Sequence, residues 1–335
     1  MIKKWDAALA VVGLGLFAFA AGRIGWGAIL RAIEEAGTAV AIIIGLSLIR
    51  LVLQTRSWSI ALRSGGVESS PGKLMLIRLA SQGVGYLSVL GPVASEPMKI
   101  SLLQRRGGSA TTATLVDTGV YWFTSGMVGM AGCFSAVLLL AHSRYSIAPL
   151  TIVGLMLAVS LFLIARPTSQ LSLLADVLGA RCPRWLEKAK QIEVALRQFG
   201  SQHPSQIHRM FWLDAACQVL LIAEIVAIFW CLHIALHGGT MLAVEGASRA
   251  IKIIASWMPA RIGVDESGTA GVFLAFGLSP ASGLTLALAR RSRDLLAALI
   301  GLSWLTWSTG LWKVSPARIP EADYLKEEKR TCKLC

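Results

Sequence analysis

The chain has 335 residues, of which 55% are hydrophobic and only 15% charged, and its mean hydropathy is +0.63. Soluble domains carry about 25% charged residues, so this composition excludes an ordinary water-soluble fold and requires a bilayer as solvent. The net charge of +13 would suggest nucleic acid in a soluble protein; here it reads as Lys and Arg gathered in cytoplasmic loops and against anionic lipid, with no nucleic-acid partner.

Taken in chain order, Lys3 and Lys4 precede an apolar run, Ala7–Gly22. Ala18-Phe19-Ala20 mimics a signal-peptide cleavage site, but the further spans and their flanking charges favour a first transmembrane helix. An amphipathic stretch, Trp26–Glu35, leads to a second span, Thr38–Leu53, followed by Arg56, Arg63 and Lys73. Two shorter pieces come next: Leu74–Leu90, ending at Gly91-Pro92, and Glu96–Leu103, ending at Arg105-Arg106-Gly107-Gly108. A long apolar segment with Asp117 inside it covers Ala110–Ala141, and another span covers Ile147–Ala165. Pro167–Arg209 is a polar, basic insertion with helical pieces around Leu171–Leu178 and Trp185–Phe199. Phe211–Leu236 crosses again. The two-piece pattern then returns as Met241–Met258, ending at Pro259, and Glu266–Phe276, ending at Gly277. The last segment, Ala281–Trp312, carries Arg290, Arg291, Arg293 and Asp294, and a charged tail follows from Lys313.

The returning pattern is an internal repeat, with units of about 74–141 and 241–312. Ser81 precedes Pro92 by eleven residues, as Ser248 precedes Pro259; Glu96 precedes Ser109 by thirteen, as Glu266 precedes Ser279. If each unit begins with a re-entrant hairpin, the three full crossings between the units place the hairpins on opposite sides, an inverted repeat of the kind transporters use. The basic segments 56–73, 105–106 and 166–209 and both termini then fall on the cytoplasmic side. The expected fold is therefore all-α and integral to the membrane. It has about six transmembrane helices and two re-entrant hairpins broken at Pro92 and Pro259, in one domain over 1–312, with a cytoplasmic tail over 313–335.

An ionised side chain at mid-bilayer costs several kcal/mol and marks function by default. Candidates are Arg50, Arg78, Glu96, Lys99, Asp117, Glu224, Glu245, Arg249, Lys252, Arg261, Asp265, Glu266, Arg290, Arg291, Arg293 and Asp294. They cluster in the repeat units and the spans after them. Arg50, Arg78 and Glu245 have the competing reading of side chains snorkelling from helix ends, and Glu96 and Glu266 that of helix-start carboxylates. The set expected to hold a substrate is Glu96, Lys99, Asp117, Arg249, Lys252, Arg261, Glu266, Arg290, Arg293 and Asp294. Helical spacing puts Arg290, Arg293 and Asp294 on one face. They are expected to face the hairpin cavity near Glu266, with Arg291 at its edge or against another helix. A basic excess around broken helices suits phosphate, for which Arg is the better fork. Apolar walls suit a lipid tail, so an anionic lipid headgroup is the expected partner.

Cys133, Cys217 and Cys231 lie in apolar runs and read as small core residues. Cys332 and Cys335 form a lone C-x-x-C, weak as a metal or redox motif without a second pair. The five histidines are scattered. No catalytic motif appears. No metal, cofactor or enzymatic role is expected.

The run Leu90-Gly91-Pro92-Val93-Ala94-Ser95-Glu96-Pro97-Met98-Lys99, with Gly107-Gly108-Ser109 after it, resembles the first hairpin of the lysylphosphatidylglycerol synthase transmembrane region, or flippase-like, family. Met258-Pro259-Ala260-Arg261-Ile262-Gly263-Val264-Asp265-Glu266 resembles its second hairpin, and Ala287-Leu288-Ala289-Arg290 the arginine-bearing span that follows. The resemblance covers roughly residues 5–312. It implies a bacterial inner-membrane protein that moves or handles an anionic lipid or lipid-linked intermediate. Alternatives are an intramembrane lipid-modifying enzyme or accessory subunit of a glycolipid or hopanoid pathway, and an anion channel or transporter. Ala260 and Arg261 stand where the family commonly has glycine. No aminoacyl-transferase domain accompanies the membrane region, so lipid lysylation is not implied.

Overall fold

The computed structural model of the protein describes residues 37–88, 92–103, 108–140, 151, 154–155, 158, 194–196, 198–235, 237–254 and 264–309. The expected span Ala7–Gly22, the stretch Trp26–Glu35, most of Ile147–Ala165 and of the basic insertion, Pro259, Arg261 and the tail lie outside the described residues.

All regular structure among the described residues is helical. Helix α1, Thr38–Ser64, runs through Arg56 and Arg63, which the sequence reading had placed after the span. Its 27 residues extend about 40 Å at 1.5 Å per residue. That exceeds a hydrocarbon core of about 30 Å, so the helix can continue past the apolar run and carry its basic residues in the last turns. Gly66 (φ 71°) turns the chain left-handed, and the Val67 N–H closes on the Leu62 carbonyl at 2.8 Å. Helix α2, Pro71–Leu87, opens on a proline, which fits the first turn because that N–H has no helical partner.

The expected break follows: α3, Pro92–Leu102, is a separate helix from α2. Then come α4, Gly108–Leu140, and α5, Pro204–Cys231. Proline again starts α5, which therefore begins within the stretch assigned to the polar insertion. The second unit gives α6, Gly238–Ile254, and α7, Val264–Ala275, followed by α8, Pro280–Thr309. Gly277 (φ 73°) ends α7 as Gly66 ends α1, with the Leu278 N–H on the Phe273 carbonyl at 2.8 Å. Among the described residues three helices are long and apolar enough to cross a membrane: α1, α4 from Ala110 onward, and α5. Helix α8 has the length, but its middle carries four charges in five residues.

Packing is reciprocal between the halves. Helices α1 and α5 lie antiparallel, with Thr38 beside Cys231, Ser47 beside Glu224 and Ser57 beside Asp214. Helix α6 packs on α4, the long span of the other unit, and α2 packs on α8 in the same way. Lipid is as apolar as leucine, so helices in it associate through close van der Waals contact at small residues. A Cβ on Gly132 of α4 would stand 2.6 Å from the Gly246 Cα of α6, and one on Gly301 of α8 would stand 2.5 Å from the Ala80 nitrogen of α2. Outward faces are apolar: Phe134, Leu138, Val219 and Trp230 are all at least 60% exposed.

Candidate functional site

Helix α8 passes through the interior, and its charged turn is buried there. Arg290, Arg291 and Arg293 are 6%, 4% and 7% exposed. The three guanidinium groups are therefore packed inside the helix bundle and not spread into solvent. Guanidinium groups so placed need carboxylates and carbonyls around them, and three other helices supply them.

Arg290 bridges two helices. Its Nε lies 3.3 Å from Glu224 Oε2 of α5, and its Nη2 lies 2.9 Å from Glu245 Oε2 of α6 and 3.4 Å from the Leu221 carbonyl. Arg293 pairs with the other oxygen of Glu224 and, at 2.9 Å, with Asp294. Glu224 also accepts a 3.3 Å bond from the Ser47 hydroxyl of α1. Glu245 is shared with Arg249 one turn later on α6, at 2.8 Å. Arg249 in turn donates to Ser125 Oγ of α4 at 2.6 Å and to Gln218 Oε1 of α5 at 2.7 Å. Arg291 points the other way, to Glu266 of α7, and its Nε donates to Tyr86 Oη of α2 at 3.2 Å.

A cavity of about 20 Å³ sits against this network, lined by Tyr86, Lys252, Asp265, Arg290, Arg291 and Asp294 among others. It has room for about one water. Exposure differs among the carboxylates. The Glu224 and Glu245 side chains are 1% and 5% exposed, against 14% for Glu266 and 28% for Asp294.

The first unit carries a smaller set. Arg78 of α2 lies 3.3 Å from Asp117 of α4 and donates to the Gln54 carbonyl of α1 at 2.6 Å. On α3, Lys99 pairs with Glu96 at 2.7 Å, and Thr118 of α4 donates to the second oxygen of Glu96 at 2.9 Å. Asp214 of α5 accepts from Ser57 at 3.3 Å.

The residues expected from sequence thus fall into two groups. Arg249, Lys252, Glu266, Arg290, Arg293 and Asp294 adjoin one network and its cavity; Glu96, Lys99 and Asp117 belong to the other. Arg261 and Pro259 lie outside the described residues, and Pro92 is the first residue of α3. Arg290 and Arg293 do not face Glu266 as expected; Arg291 does. The reason is that α7 packs on one side of α8 while α5 and α6 offer carboxylates on the other. Arg78 and Glu245 are 4% and 3% exposed, so neither snorkels. Among the described residues of this network, Arg249, Lys252, Arg290, Arg291 and Arg293 stand beside five carboxylates, Glu224, Glu245, Asp265, Glu266 and Asp294. Glu224, the most connected carboxylate, was not in the expected binding set. Its signal was an acid in the middle of an apolar span that also carries Asp214 near its start. Ser47, Tyr86, Ser125 and Gln218 give no such signal, because uncharged polar residues are common in membrane helices.

A family model described as the lysylphosphatidylglycerol synthase TM region matches residues 6–301. No curated protein and no solved structure matches the chain.

Proposed function

The chain belongs to the lysylphosphatidylglycerol synthase TM region family, a membrane family related to lipid handling, and on that premise we propose that it is a flippase-like transporter for an anionic phospholipid or lipid-linked intermediate. The observation that carries this reading is the set of buried arginines on α8 held by carboxylates from three other helices. A charge-balanced, water-sized site is a closed state. To admit a lipid phosphate, an arginine must exchange a carboxylate for it. Glu266 and Asp294 are the exchangeable partners, because they are the more exposed and Asp294 lines the cavity beside the Arg291 that Glu266 holds; Glu224 and Glu245 stay as the fixed counter-charge. Lys252, on the same cavity, adds a cation without a fork and favours release. Arg290, Arg291 and Arg293 are the phosphate ligands, and the protein carries its substrate without chemically changing it.

The accompanying architecture is six spans and two re-entrant hairpins in an inverted repeat, in a bacterial plasma membrane with both termini cytoplasmic. The antiparallel α1–α5 pair and the reciprocal packing of α2 on α8 and α6 on α4 support it, since inversion of one half relative to the other requires both.

The test is lipid sidedness in reconstituted vesicles containing a headgroup-labelled phosphatidylglycerol. The wild-type protein should bring inner-leaflet label within reach of an external quencher, and Lys252→Met should slow this about tenfold or more, the worth of one charge-assisted contact. Unchanged sidedness together with an altered lipid in extracts would replace the proposal with an enzyme. Unchanged sidedness with conductance in planar bilayers would replace it with a channel.

A further inference from the structure

A groove of about 810 Å³ opens where the C-terminal end of α1 meets the starts of α2 and α5, and none of the charged network lines it. Its walls change character along their length. On α1, Val52, Arg56, Ile60 and Arg63 recur at helical spacing and share one face. Opposite them stand Arg209 and Trp212 of α5, with Met75 of α2 between. Because α1 and α5 are antiparallel, Arg56, Arg63 and Arg209 all come to the same end. Among the described residues no carboxylate lines the groove, and among them none makes a hydrogen bond or ion pair with the three guanidinium groups. An adjoining recess of about 720 Å³, lined by Arg63, Glu68, Ser69 and Ser70, extends the site outward. Toward the span the groove runs into exposed apolar surface: Leu48 is 55% exposed, Ile49 52% and Val52 43% on α1, and Val219 63% on α5.

We infer that this groove is a lateral site for one anionic phospholipid of the surrounding leaflet. Its phosphate is held by Arg56, Arg63 and Arg209, and its acyl chain lies along Val52, Ile60, Met75 and Trp212. The groove itself is one-sided in charge, as phosphate requires, and Glu68 lines only the adjoining recess. Arg56 and Arg63 lie about 5 and 15 Å past Leu53, where the apolar run of α1 ends, and Arg209 is near the start of the antiparallel α5, which puts them toward headgroup level. Trp212, 60% exposed and donating its indole N–H to His208 at 2.9 Å, is the amphipathic ring that this depth favours. Arginines that merely snorkel would spread outward into water; these converge from two helices on one concavity that continues the lipid-facing surface. The site stands whether or not the α8 network moves lipid.

The test is native mass spectrometry of the full-length protein released from detergent with phosphatidylglycerol or phosphatidylcholine added. Wild type should retain one phosphatidylglycerol per chain more than the R56Q/R63Q/R209Q variant, and should show no such difference with phosphatidylcholine. Met75→Trp fills the apolar part while keeping every charge, and should release the same lipid. Its melting temperature and that of the triple variant report folding. Equal phosphatidylglycerol retention by wild type and both folded variants overturns the site. So does equal retention of the two lipids, or protection of Trp212 only in a dimer, which would make the groove a contact between copies. Loss of the groove lipid with vesicle sidedness intact, or the reverse, separates this site from the α8 network.

Discussion

Arg290 shows how tightly one residue is committed in this interior. It holds Glu224 and Glu245 at once, on two helices, with both acids almost wholly buried. A buried ion pair is weak grounds for stability, but removing one partner is costly, about 3–5 kcal/mol, because an uncompensated charge remains. Arg290→Gln should therefore lower the thermal melting point in detergent markedly, whereas Arg290→Gln with Glu245→Gln should recover part of the loss. A double-mutant cycle on melting reads the coupling; additive losses would mean that the two side chains do not interact. Sequence placed Arg290 in the interior because apolar residues flank it on both sides. It did not give the partner. Helical spacing fixes which residues share a face but not which neighbouring helix that face meets, so Arg291 and not Arg290 reached Glu266. Arg78 and Glu245 hold matching places with opposite sign. Arg78 lies two residues before Ala80-Ser81 and pairs with Asp117 of the following long helix; Glu245 lies two residues before Ala247-Ser248 and pairs with Arg290 of the following long helix. A repeat search by residue identity does not see such a sign-reversed pair.

At the scale of elements, backbone approach decides the packing. Gly246 of α6 and Gly132 of α4 meet so closely that neither has room for a Cβ. Gly246→Leu should force α6 off α4, strain the Glu245 and Arg249 contacts, and cost at least the 1–3 kcal/mol typical of overpacking, read as lost monodisperse protein on gel filtration. Gly45→Leu on α1, where a side chain would meet nothing within 4 Å, should leave the elution profile unchanged. A normal profile for Gly246→Leu would contradict the close crossing. The elements themselves were largely legible. The separation of α2 from α3 was marked by Pro92, which opens α3 at a position where proline is tolerated; Pro259, between α6 and α7, lies outside the described residues. The ends were less legible: α1 runs past its apolar residues to Ser64, and α5 starts at Pro204 inside a polar stretch, because helix length is set by capping and packing as much as by apolar content.

For the whole molecule, reciprocal packing carries the mechanism. Each unit's first short helix rests on the other unit's long span, so a shift of one half against the other must slide α2 along α8 and α6 along α4. Under the proposed function, a shift that opened the 20 Å³ cavity would separate Arg291 on α8 from Glu266 on α7 or from Tyr86 on α2. The matched spacing of Ser to Pro and of Glu to Ser pointed to a duplication in the sequence, whereas the carboxylates of the core were not legible there, because one of them, Glu224, comes from outside both units. The most direct test is a cryo-electron microscopy map of the protein in nanodiscs of phosphatidylglycerol. The account predicts a class in which the cavity is enlarged, a lipid phosphate lies within hydrogen-bond distance of Arg291 or Arg290, and Glu266 has withdrawn from Arg291. Lipid density absent from the α8 turn in every class, with the Arg291–Glu266 pair closed throughout, would contradict it.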